Sequence, residues 1–137
     1  MATAPTFIAN GFMTVGTVSN ATGVGFVSVL TGNTNGSKVV SLMATNTDGA
    51  AKTVMVQVNK AGSNTYLFSA NVAAASGFDG VTPAVNLLSS TYAPGLPVDN
   101  DGQPYLLVNV GDIIQVGVKV SVGTGNVVTV TAQGGNF

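Results

Sequence analysis

Between clusters of Gly, Asn, Asp and Ser, the chain runs in short segments where apolar and polar residues alternate, the period of a strand with one buried face. In KTVMVQVN, the residues Val54, Val56 and Val58 point one way and Thr53, Met55, Gln57 and Asn59 the other. IIQVGVKVSV repeats the pattern, with Ile114, Val116, Val118 and Val120 expected inside and Gln115, Gly117, Lys119 and Ser121 outside. The pattern predicts strands over Thr6–Ile8, Met13–Ser19, Gly25–Thr31, Lys38–Thr45, Lys52–Asn59, Thr65–Val72, Tyr105–Val110, Ile113–Ser121 and Val127–Ala132.

Short turns suggest how these segments connect. TDGAA and KAGSN join the three middle segments as an antiparallel meander, and VGTGN closes the last two as a hairpin. One helix is expected, over TPAVNLLSS, with Thr82 as cap, Pro83 in the first helical position and Leu87 and Leu88 packing inward. Tyr92–Gln103, with Pro94, Pro97 and two glycines, is expected as a surface loop or a Pro-protected edge. The fold class that fits is all-β: an antiparallel β-sandwich, jelly-roll-like, of about eight strands with one short connecting helix. Its 137 residues suit one domain, 1–137, with 1–12 as an amino-terminal arm.

Composition narrows the chemistry. Cys, His, Trp, Glu and Arg are all missing, and charged residues make up 7% of the chain against about 25% in an average soluble domain. Without His and Cys there is no Ser-His-Asp or Cys-His nucleophile and no zinc site of the usual kind. Five aspartates are few for acid–base catalysis, and their one close pair, Asp99 and Asp101, lies adjacent on a turn and not across a substrate, so no enzyme, no catalytic residue and no cofactor are expected. A net charge of −1 and the lack of Arg argue against nucleic acid as a partner. No apolar run approaches the roughly 18–20 residues of a membrane-spanning helix, so no membrane contact is expected. The opening MATAPTFIANGFMTVG has neither the basic region nor the apolar run of a secretory signal, which suggests synthesis in the cytoplasm.

Two acidic motifs invite a metal reading. Asp99-Asn100-Asp101-Gly102 resembles the start of a calcium loop, but neither register places Gly and a bidentate Glu correctly, and the chain has no Glu. A Gly-terminated turn explains it, the alternative being an irregular calcium site of Asp99, Asp101 and backbone carbonyls. Gly111-Asp112 is expected as a turn opening a strand, with the Asp oxygen accepting a backbone N–H.

No charged side chain precedes Lys38, and a stretch this apolar is a poor solvated tail. It is expected to be buried in the sandwich or against another chain.

From Ala44 to Val58 (ATNTDGAAKTVMVQV) and from Tyr105 to Gly135 (YLLVNVGDIIQVGVKVSVGTGNVVTVTAQGG), the chain resembles small β-sandwich virion proteins of tailed bacteriophages. Those proteins pair an N-T-D turn leading into a basic-Thr-Val strand with a late G-D strand and a terminal Val/Thr hairpin. GVTPAVNLL and DNDGQPYLL are similar to segments of phage head accessory proteins. The resemblance covers the last two thirds and transfers no site residue. It implies a capsid decoration or cement protein on the virion surface that bridges capsomers. Its partners would be the major capsid protein and itself, as a homodimer or homotrimer, with the uncharged amino-terminal stretch and the Pro-rich loop as contacts. The alternative is a receptor- or glycan-binding module of a head fibre, tail or adhesin, favoured by a concave patch holding Tyr92 or Tyr105.

Overall fold

A computed structural model of the chain describes residues 10–137; the strand expected over Thr6–Ile8 lies outside them, as does most of the 1–12 arm. Among the described residues, nine strands form two antiparallel sheets: β1 (Asn10–Ser19), β2 (Phe26–Thr31), β3 (Ser37–Asn46), β4 (Lys52–Lys60), β5 (Ser63–Val72), β6 (Val85–Asn86), β7 (Leu106–Val108), β8 (Ile113–Val118) and β9 (Val127–Asn136). Sheet A has the order β1-β9-β3-β6, with β7 also on β3, and sheet B the order β2-β8-β4-β5.

The pairing is nested. First strand pairs with last, second with next to last, third with the short β6 and β7, and β4 with β5. This is one long hairpin rolled on itself, the jelly-roll topology of a β-sandwich. Its centre is a two-residue turn, Ala61-Gly62, whose φ values of 50° and 88° match the type I′ turn that suits the twist of a hairpin.

Alternation set the faces as expected through most strands. Val54 and Val56 of β4, Val116 and Val118 of β8 and Val128 and Val130 of β9 fill the gap between the sheets together with Leu42. β-Branched side chains suit such a pleated, close-packed surface, and each fully buried Val contributes about 1.5–3 kcal/mol.

Four expectations are corrected. The middle segments are no meander: β3 lies in sheet A and β4 in sheet B, so only β4 and β5 form a hairpin. VGTGN likewise closes no hairpin, because β8 belongs to sheet B and β9 to sheet A. The chain leaves sheet B after Val118 to make that crossing, which turns Val120 out to solvent and buries Val122 in its place.

The helix over Thr82–Ser90 does not form. Thr82 is engaged upstream, giving its N–H and hydroxyl to the Asp79 carboxylate. Val85–Asn86 pairs with β3, the Leu87 N–H donates to the Leu42 carbonyl at 2.8 Å, and the Asn86 side chain accepts the Leu88 N–H. Leu87 and Leu88 are buried as expected, by sheet pairing instead of helix packing. Here tertiary hydrogen bonds outweigh a weak local helix preference.

The uncharged amino-terminal stretch supplies β1 and β2, which are edge strands of the two sheets. Its inward residues Val18, Val29 and Leu30 are buried, whereas Met13, Val15 and Val24 face solvent.

Candidate functional site

Because strands alternate direction, the connections β1–β2 (20–25), β3–β4 (47–51), β5–β6 (73–84) and β8–β9 (119–126) gather at one end of the sandwich. Side chains tie them together. Asn46, fully buried, donates through Nδ2 to the carbonyls of Ala50 (3.0 Å) and Ala73 (3.3 Å) and accepts the Asp48 N–H at 2.9 Å. The Asp48 carboxylate accepts the N–H groups of Gly123 (2.7 Å) and Ala50 (3.2 Å) and faces the Lys52 ammonium at 3.5 Å. Lys52 in turn donates to the Ser121 carbonyl at 2.9 Å, and Asn20 donates to that of Val122 at 2.7 Å. Thr47 accepts the Val127 N–H at 2.9 Å and donates to Asn126. The Asn46-Thr47-Asp48 turn, prominent in the sequence, is therefore the knot that holds the loop end rigid.

The β5–β6 loop carries a second knot. The Asp79 carboxylate accepts the N–H groups of Val81 (2.8 Å) and Thr82 (2.7 Å), and the Gly77 N–H donates to the Thr82 carbonyl at 2.7 Å. These bonds hold both carboxyls below the usual carboxylate range. For Asp48 the Gly123 N–H is the main cause, opposed by desolvation and helped by Ala50 and Lys52; for Asp79 it is the Thr82 N–H, then that of Val81.

Outward, the same loops present apolar side chains. Phe78 is 67% exposed and Val81 86%, around a shallow depression of roughly 400 Å³ lined also by Gly77, Gly80, Thr82 and Pro83. Val24 and Val120 project from two of the other loops at this end. The Asp48 and Asp79 carboxylates thus bond backbone N–H groups, while Phe78, Val81, Val24 and Val120 face solvent.

The outer sheet faces differ. On sheet B, Phe26 and Tyr66 form a tilted pair with ring centroids 6.0 Å apart, and Gln57, directly opposite Tyr66, is 3% exposed and bonded to Gln115 at 2.7 Å. On sheet A, the row Val15–Thr131–Met43 runs across β1, β9 and β3 with Val15 and Met43 exposed.

The acidic motifs form turns. Asp99 Oδ1 accepts the N–H groups of Asp101 (2.9 Å) and Gln103 (3.0 Å), and Gly102 closes the turn with a φ of 79°. Among the described residues no group of three or more His, Cys, Asp or Glu could hold a metal ion. Asp112 follows the turn at Gly111 and pairs through its carboxylate with the Lys60 ammonium, not with a backbone N–H as expected. The Pro-rich loop packs inward through Tyr92, Ala93 and Leu96 and leaves Pro94 and Pro97 exposed. Tyr92 rests on the core, and one face of Tyr105 is covered by the Lys38 ammonium 4.5 Å from its centroid. Neither ring lines the depression at 77–83 or a second one lined by Thr53, Met55, Tyr66–Ser69 and Lys119.

Sequence reasoning missed Phe78 and Val81. The signal was available: both sit within a Gly/Asp turn cluster (SGFDGV) where no strand needs an apolar side chain, as Val24 does in TGVG. Compared with known proteins, the chain matches no protein-family model and no curated protein sequence.

Proposed function

We propose that the chain is a decoration or cement protein of a tailed-bacteriophage capsid, which binds the outside of the shell and stabilises it by bridging capsomers, without catalysis. The observation that supports this most is the loop end, where hydrogen-bonded knots hold Phe78 and Val81 out of the fold as fixed apolar contacts. Its partner there is the major capsid protein. A rigid end loses little entropy on docking, and repetition over a shell multiplies modest single contacts into strong overall attachment. The scarcity of charge fits a protein that works in association with its neighbours.

The receptor- or glycan-binding alternative receives less support, since Tyr92 packs against the core and the Lys38 ammonium sits over one face of Tyr105. Quantitative mass spectrometry of virions of the phage encoding this chain distinguishes the two. Decoration requires a 13.6 kDa protein in many copies per particle. Its absence, or presence in only a few copies, overturns the proposal.

A further inference from the structure

A sheet edge is a template for pairing with another chain, and folds protect edges by shortening or bulging them. Three of the exposed edges here are protected. The ladder of β2 breaks between Ser28 and Leu30, and that of β5 breaks at Leu67, the extra residue between the pairs Val56–Phe68 and Gln57–Tyr66. The far side of sheet A ends in β6 and β7, of two and three residues. β1 has neither device. Its ten residues pair one to one with β9, from Asn10–Asn136 to Ser19–Val127, without a shift, a proline or a charge. Among the described residues nothing pairs with its other side. β2 meets β1 on its inward face, at Gly16, where an added Cβ would lie 2.7 Å from Val29 Cγ2, so the in-plane edge stays open.

We infer that β1 is the self-association edge of this protein: β1 of a second copy adds to it antiparallel, about a two-fold axis at Val15, and fuses the two A sheets into one. The second copy is the occupant that symmetry matches. Two uncharged strands meet without like-charge repulsion, and the axis sets Val15 opposite Val15 and Met13 opposite Thr17. The outward row Val15–Thr131–Met43 then continues unbroken into the partner. This deepens the shell reading by naming its self-contact, and it is tested on isolated protein, so failure here leaves the virion measurement standing.

The chain lacks cysteine, so Val15→Cys introduces a single thiol. Directly opposite residues in an antiparallel pair have Cβ atoms about 4.5–5.5 Å apart, near disulfide reach. Light scattering on a sizing column should give twice the chain mass for the parent. Mild oxidation should cross-link Val15→Cys about tenfold more than Leu107→Cys, a control on β7 that is somewhat more exposed. Val15→Lys, at an exposed position, should give a folded monomer whose Tm, unlike the parent's, does not vary with protein concentration. A monomeric parent, a dimeric Val15→Lys variant, or equal cross-linking of the two thiol variants overturns the inference.

Discussion

The Asp48 carboxylate accepts the Gly123 backbone N–H at 2.7 Å, across 75 positions of sequence, and so fastens the β3–β4 crossing to the β8–β9 crossing. Asp48→Ala removes that acceptor and leaves the largely buried Lys52 without its carboxylate. The expected outcome is a lower Tm and faster hydrogen exchange at the Gly123 amide, with exchange in the β4–β5 hairpin unchanged, as read by amide-resolved exchange.

Asn46 fills the other half of the knot with no exposure to solvent. Asn46→Ala strips partners from the Asp48 N–H and from the Ala50 and Ala73 carbonyls. It should cost about 2 kcal/mol, a fall in Tm of about 8 °C, measurable by thermal unfolding.

Acid should loosen the same end. Asp48 and Asp79 have folded pKa values below the ordinary 3.8, so their contribution to stability is complete above that value and is lost as pH falls through it towards the folded values. The chain has no His to titrate between about pH 5 and 8. Tm should stay flat from neutral pH to about pH 5 and drop below about pH 4. The double variant Asp48→Asn, Asp79→Asn should start lower and fall less steeply over that acid range.

How much of this was legible in the sequence follows from what each signal encodes. Period-two alternation carries facing, so Val54, Val56, Val116 and Val118 were placed correctly on the core side. It carries no information about partners. Whether β3 turns back on itself or crosses to the other sheet depends on Asn46 and Asp48 meeting Ala73 and Gly123, residues far away in sequence. The helix signals at Thr82 and Pro83 were real but local, and Asp79 and Leu42 override them through bonds no window of sequence displays. The loop end escaped notice because Phe78, Val81 and Val24 lie outside the alternating segments, and Val120, inside one, was read as facing the core.

Two backbone sites test the fold itself. Ala61 holds a positive φ in the Ala61-Gly62 turn, a conformation that Asn tolerates better. Ala61→Asn should stabilise the protein by about 0.5–1 kcal/mol in denaturant titration.

At Gly134 an added Cβ would lie 1.9 Å from the Lys38 carbonyl oxygen, inside the β3–β9 ladder. Gly134→Ala should therefore cost about 3 kcal/mol or more and depress soluble yield.

The central claim is that the loop end bearing Phe78 and Val81 seats this protein on a capsid. Cryo-EM reconstruction of virions tests it most directly. The prediction is density for this jelly roll on the outer shell, with loops 20–25, 73–84 and 119–126 against the capsid protein and Phe78 and Val81 buried. A particle without such density, or one in which the loop end points to solvent, would contradict it.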